Sequence, residues 1–306
     1  MTLKNLLSYF YSPLAMGLFM IISEFTNTIY KKHVEVHTST SCSRMGIFKN
    51  HIEPVFGKMS FHEVSKVQIF DWRNSLYIRG YKPAMINKIQ VIFGQIVKLA
   101  NDLELTKARR EDLGFCNLRI TGQPETYLND KQMRSLMLYC KESRNVNLLP
   151  IIQLLALTGA RKREVLDLKW QYVAMDQNYF YVPKAKNGKP RKVFLNKSAS
   201  QVLENLAKTR QNESEFVFPN PHTGVPYNCI YHTWDIARKK TGFPDLRIHD
   251  LRHSFASALI NNGVAIYDVQ HLLGHESIKT TQRYAHLDER TLKKSADQAA
   301  LYFSFN

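Results

Sequence analysis

Four separate segments in the second half of the chain carry side chains that could do chemistry together. They hold, in chain order, Arg161 with Glu164, His249 with Arg252, His275, and Tyr284. In each of the first two pairs the residues are three apart, so a helix would place both on one face. Arginine and histidine bind anions and histidine moves protons, while a tyrosine hydroxyl can act as a nucleophile. Each segment alone would most often be structural, and only their combination favours a shared site.

The elements that must position these residues are mainly helical. A helix is predicted from an N-cap at Asn129 or Asp130 to Cys140, and an apolar helix over 148–157. Two short strand patterns, at 179–182 and 192–195, flank Asn187-Gly188, which is a hairpin turn signal. The pattern is helical again from Cys229 onward, where Phe255, Ala256, Leu259 and Ile260 would face the core.

The first part of the chain, over 21–105, also has a helical pattern. Its clearest apolar stripe follows Pro83 and comprises Met85, Ile89, Ile92, Phe93, Ile96, Val97 and Ala100. Weaker repeats are Phe25, Ile29, Tyr30 and His33, and then Val67, Phe70, Leu76 and Tyr77. Residues 106–127 are polar and irregular, which predicts a linker between two domains.

Charge and cysteine content narrow the class of protein. Lys and Arg number 42 against 26 Asp and Glu, a formal charge of +16 over 306 residues. Up to Gln123 there are 16 basic and 9 acidic residues (net +7), and the rest has 26 and 17 (net +9). Both parts therefore suit a polyanion such as nucleic acid. The four cysteines form no CxxC pair, which favours a reducing, cytoplasmic setting without a zinc site or a disulfide framework.

The apolar start of the chain, predicted as an extension over 1–20, leaves three interpretations open. It is a helix packed on the first domain, a signal or membrane segment, or an addition ahead of a true start at Met16 or Met20.

At the motifs TGARKREVL, HDLRHSFAS, LLGH and RYAH, the sequence resembles the tyrosine recombinases, or phage-type integrases. The resemblance covers about 125–290 and implies seven site residues. The catalytic residues would be Arg161, Lys186, His249, Arg252, His275 and the nucleophile Tyr284, with Glu164 in support. Lys186 is preferred over Lys184 as the hairpin lysine because of its place before Asn-Gly.

The resemblance also implies a mechanism. Two guanidiniums would clamp the phosphate oxygens, His249 would activate the phenol, His275 would hydrogen-bond the phosphate and Lys186 would protonate the leaving 5′-oxygen. No metal or other cofactor is expected. The product would be a 3′-phosphotyrosine, which a 5′-hydroxyl can reverse.

The implied fold is mainly α with a small β-sheet. A helical core-binding domain (21–105) and an α+β catalytic domain (128–290) would form a clamp on double-stranded DNA. A terminal helix (291–306) would pack on its own domain or on a neighbouring protomer. The working unit would be a homotetramer on two specific recombination sites, in the cytoplasm at the nucleoid, with possible accessory DNA-bending or directionality factors.

Three other functions compete with this one. A type IB topoisomerase-like relaxase shares the chemistry, a DNA-binding regulator would lack it, and a metal-dependent nuclease would need a carboxylate cluster that the spacing does not offer.

Overall fold

The computed structural model describes residues 20–38, 40–120, 127–185, 188–210, 214–282 and 284. The predicted N-terminal extension (all but Met20), Lys186 and the C-terminal helix over 291–306 lie outside these residues. The chain divides into two compact units, Met1–Gln123 and Pro124–Asn306. Over the described residues, no helix has the length and apolar character needed to cross a membrane.

The first unit is helical throughout its described core. Helix α1 (Ile22–Phe25) continues through a π-helical turn (Thr26–Tyr30) into α2 (Lys31–His37). Helix α3 (Ser41–Ile47) likewise continues through a π-helical turn (Phe48–Ile52) into α4 (Glu53–Phe56). Two longer helices follow, α5 (Lys66–Ile78) and α6 (Pro83–Asp102).

The apolar stripe predicted after Pro83 is confirmed. Pro83 begins α6, and Ile89, Phe93 and Ile96 on this helix are fully buried. Phe93 lies at the centre of an aromatic cluster, with ring centroids 4.8 Å from Phe56 and 5.8 Å from Trp72. Edge and tilted ring contacts of this kind add to the area that the helix buries.

The predicted face of α5 is wrong. Val67, Phe70 and Tyr77 are exposed, and the buried residues of this helix are Ile69, Trp72, Arg73 and Leu76. The buried set follows the three- and four-residue steps of one helical face, whereas the predicted set mixes two faces. Arg73 can be buried because its guanidinium donates to the sulfur of Cys116 at 2.7 Å.

The second unit is α+β. Its helices, as labelled here, are α7 (Asp130–Lys141), α8 (Leu148–Thr158), α9 (Lys162–Leu166), α10 (Lys197–Lys208), α11 (Tyr231–Lys240), α12 (Ile248–Asn261) and α13 (Ile266–Leu273). Short 3-10 turns lie at Trp170–Tyr172, Met175–Gln177 and Ile278–Thr280. The predicted N-cap is Asn129, which forms a capping box with Gln132.

A three-stranded antiparallel sheet inserts between α9 and α10. Its strands are β1 (Val173–Ala174), β2 (Tyr179–Val182) and β3 (Arg191–Phe194), in the order β1-β2-β3. Tyr179 pairs with Phe194 and Val182 with Arg191. The predicted hairpin is confirmed, with β3 beginning one residue earlier than expected. The prediction of a mainly helical fold with a small sheet is therefore confirmed.

Candidate active site

The candidate site begins where α8 ends. Gly159 terminates this helix in the left-handed conformation (φ 62°), which a residue with a side chain seldom adopts. A Cβ at this position would lie 2.5 Å from a ring carbon of Phe255, so the backbone here approaches α12 closely. The turn leads directly to Arg161, which is the N-cap of α9.

Glu164 holds two arginines together. Its carboxylate accepts from Arg161 Nη1 at 3.0 Å, and from Arg191 Nη2 at 2.6 Å and Nε at 3.1 Å. It also accepts the backbone N–H of Arg161 at 2.8 Å. Burial raises the pKa of the Glu164 carboxyl, but the hydrogen bonds and charges of Arg191 and Arg161 outweigh burial, so that this pKa lies below its ordinary value. The Glu164 side chain is only 6% exposed, so this is not a surface salt bridge.

Arg252 is the most buried arginine of the site. It lies on α12, is 3% exposed, and donates to the carbonyls of Gly159 at 2.8 Å and Leu273 at 2.7 Å. Burial, and then the charges of Arg161 and Arg191, lower the pKa of its guanidinium to about 9. Arg252 therefore remains charged at neutral pH.

Both predicted arginines meet the end of α13. Arg161 Nη2 donates to the carbonyl of Gly274 at 3.0 Å, one residue beyond the carbonyl that Arg252 contacts. Arg191 Nη1 donates to the carbonyl of Leu272 at 3.1 Å. Helix C-termini attract cations because their last carbonyls carry partial negative charge. The three guanidiniums therefore converge on one turn, and their charge exceeds that of Glu164.

The predicted histidines lie on the same elements. His249 is one turn before Arg252 on α12, and its pKa is lowered by burial and next by the charge of Arg252. It is therefore largely neutral at pH 7, when it can accept or donate one hydrogen bond. His275 follows Gly274, and its Nδ1 lies 2.9 Å from the hydroxyl of the buried Thr281.

Tyr284 lies inside the second unit rather than at its surface. It is 1% exposed and packs with Ala256, Ile260, Val269 and Leu273. Its hydroxyl hydrogen-bonds to Nδ1 of His253, and the two ring centroids are 5.9 Å apart. Its charged form also raises the pKa of Arg252, so the phenol lies within electrostatic range of the arginine cluster.

Lys186 lies outside the described residues, and Lys184, the alternative, is exposed before the turn. The choice between them stays a prediction. In the described part of the chain, no three His, Cys, Asp or Glu side chains lie close enough to hold a metal ion.

Sequence reasoning missed Arg191 and His253. Arg191 shares the inward face of β3 with Val193, and the two-residue alternation of the strand was the available signal. His253 follows Arg252 in HDLRHSFAS and lies four residues from His249, so the helical spacing could have placed it near the site.

Two separate parts of the chain match known protein families. Residues 126–291 match the model of the phage integrase family, and residues 22–77 match the phage integrase N-terminal SAM-like domain. Tyrosine recombinase XerA of Saccharolobus solfataricus is 32% identical over 160 residues, which is 52% of each chain. The integrase of Salmonella phage P22 is 30% identical over 186 residues, 56% of this chain and 46% of the relative.

The fold agrees with these matches. A lambda integrase dimer bound to a COC′ core site superposes with a TM-score of 0.72 at 16% identity, over 92% of this chain and 85% of that one. The matches to the curated relatives span about half of each relative's length.

Proposed function

The chain belongs to the phage integrase family, and from this premise we propose that it is a site-specific DNA recombinase that cuts and rejoins strands through Tyr284. One observation carries the proposal. Arg161 and Arg252 converge on the end of α13, and Tyr284 packs with Leu273, whose carbonyl Arg252 contacts. A cluster of fixed cations beside a nucleophile is what attack on a phosphodiester requires.

The arginines would act on the phosphate. Its non-bridging oxygens gain charge as the phenol attacks, and guanidiniums stabilise that charge with paired, permanently charged donors. Because backbone carbonyls and Glu164 already hold Arg161 and Arg252, little reorganisation is needed when the phosphate arrives. Losing one such donor costs about 10²- to 10³-fold in rate at comparable sites. His275 would complete the phosphate contacts.

The proton transfers can be written in full. The phenol loses its proton to an imidazole on α12, His249 by the family pattern, as its oxygen bonds to phosphorus. The bond from phosphorus to the 5′-oxygen then breaks, and that oxygen takes a proton from the hairpin lysine, Lys186 in preference to Lys184. The phosphotyrosine keeps the bond energy, so a 5′-hydroxyl reverses the step without ATP. This scheme needs no metal or other cofactor.

The assembly is part of the proposal. Two domains, over 21–105 and 128–290, would be joined by the linker over 106–127. They would grip duplex DNA from two sides, because both parts of the chain are basic. A homotetramer on two sites would be the working unit. The segment over 291–306 would link protomers, and accessory DNA-bending or directionality factors would set the outcome. Such a protein would work at the nucleoid, in the cytoplasm.

The test is covalent capture of DNA. The full chain is incubated in EDTA with duplex suicide substrates from its own genomic flanks, and denaturing gels show any protein–DNA adduct. Wild type and the control Tyr267→Phe, an exposed tyrosine on α13, should form the adduct, while Tyr284→Phe should not. Specific binding without an adduct in the wild type would favour a regulator instead.

A relaxase would be distinguished by its substrate. It would remove supercoils from plasmids that lack the flanking sites, because it needs only a monomer on one duplex. The proposed recombinase should act only where two such sites are present.

A further inference from the structure

We propose that His253 is the base that accepts the proton of Tyr284 during cleavage. This inference rests on the proposed function and deepens it. The observation is the hydrogen bond between the Tyr284 hydroxyl and His253 Nδ1, in the interior of the second unit. His253 therefore touches a reacting atom.

The surroundings of the pair require a base supplied by the protein. Tyr284 is 1% exposed and His253 is 5% exposed, so His253 and not bulk water is the acceptor beside the phenol before the phenol turns to the phosphate. An unperturbed phenol has a pKa of about 10 and remains protonated at neutral pH. A general base must lie within hydrogen-bonding reach of the proton that it takes, and His253 meets this condition.

The position of His253 links the base to the phosphate site. Arg252 and His253 are neighbours on α12, so one rigid helix carries both the phosphate clamp and the group on the nucleophile. As His253 gains positive charge, the phosphate oxygens gain negative charge in the transition state, and the two charges attract each other. When the strand is rejoined, the same imidazolium returns its proton to the departing tyrosine oxygen.

His249 suits a different task. Its ring lies edge-on to that of His253, with the centroids 4.9 Å apart. Burial and the neighbouring Arg252 lower its pKa, which favours the neutral imidazole, and a neutral imidazole can donate one hydrogen bond to a phosphate oxygen. We therefore assign His249 to the phosphate and His253 to the phenol.

The first experiment replaces His253 by asparagine. The Asn amide oxygen lies near the position of Nδ1 and can accept the phenol hydrogen bond, but it cannot hold a proton. Under single-turnover conditions, His253→Asn should form the covalent adduct about 10²- to 10³-fold more slowly than wild type. If His253 only positions the tyrosine, the variant should cleave within a few-fold of wild type, and the inference is overturned. His271→Asn, an exposed histidine on α13, is the matched control.

The second experiment separates base from acid. An acidified fluorotyrosine at position 284 should restore most of the rate of His253→Asn, because a phenol that ionises near neutral pH needs no base. A substrate with a bridging 5′-sulfur should rescue Lys186→Ala, because the sulfur leaves as a thiolate and needs no proton. It should not rescue His253→Asn. Rescue of His253→Asn by sulfur, or no rescue by the fluorotyrosine, would overturn the assignment.

The two levels of inference fail in different ways. No adduct from the wild type would refute the proposed function and this assignment with it. A normal adduct from wild type and from His253→Asn would refute only the assignment. Thermal unfolding and DNA-binding measurements on each variant show whether a lost rate reflects a lost fold. If His253→Asn does not fold, the fluorotyrosine is tested in the wild-type background. There it should flatten the decline in cleavage rate at low pH, and an unchanged decline would overturn the assignment of His253.

Discussion

Replacing Glu164 by glutamine removes the negative charge that Arg161 and Arg191 share. The substitution keeps the shape of the side chain but places an amide group among donors. Three guanidinium hydrogen bonds and one backbone N–H converge on this carboxylate, whose side chain is 6% exposed. Removing one partner of a buried ion pair costs roughly 3–5 kcal/mol. Arg161 is 26% exposed and regains some hydration, so we expect the lower end, about 3 kcal/mol.

Calorimetry of the full chain measures this loss. For a unit of this size, 1 kcal/mol corresponds to about 2–4 °C, so the transition of the second unit should fall by about 6–12 °C. The matched control is Asp167→Asn, one residue beyond the same helix. Its pair with Arg163 is about half exposed and should contribute less than about 1 kcal/mol. Equal, small shifts for both variants would refute the idea that Glu164 is the counterion of two held arginines.

The pH dependence gives the same test a second readout. The folded pKa of Glu164 is lowered, so its stabilisation is present above the unfolded pKa of about 4.3 and is lost as pH falls through the lower folded value. The stability gap between wild type and Glu164→Gln should therefore be widest at neutral pH and should narrow in acid. A gap that is independent of pH would contradict the charge-based explanation.

Three further predictions follow from single residues. Gly159→Ala should destabilise the second unit by about 3 kcal/mol in chemical denaturation, because the backbone is left-handed and the new Cβ would clash with Phe255. The control Gly263→Ala, which has open space around its Cβ, should cost about 1 kcal/mol in the same measurement. His249 should titrate by NMR below the ordinary histidine value, so its stabilising effect is lost as pH falls through that lowered pKa; a normal midpoint would argue against its burial beside the arginines. Burial raises the pKa of the Cys140 thiol to about 12, so at pH 8 it should react with a thiol reagent only on unfolding. The other three of the four cysteines are exposed and should react at once.

Local patterns predicted the parts of the fold that local forces decide. The stripe on α6, the Asn129 cap and the hairpin all depend on neighbours within a few residues, and the structure has them as expected. The contact between Arg161 and Glu164 also follows from helical spacing. The assignment of catalytic roles to these residues stays a prediction.

The remaining features depend on contacts between distant segments. An arginine on a strand is usually a surface residue, and only the folded chain brings Arg191 to Glu164, 27 positions earlier. The meeting of His253 with Tyr284 spans 31 positions and needs the packing of α12 against the segment after α13. The face of α5 was wrong because apolar residues occur on both of its faces, and only tertiary packing decides which face is covered.

The site can form only late in translation, because its two arginines need carbonyl partners at the end of α13. Arg161 takes its carbonyl partner from 113 positions further along the chain, and Arg252 takes one from 21 positions further. A chain that has left the ribosome only as far as α12 already carries both arginines but has neither of these anchors, nor Tyr284. A copy that ends at α12 therefore lacks both anchors and the proposed nucleophile, so it cannot form the proposed centre.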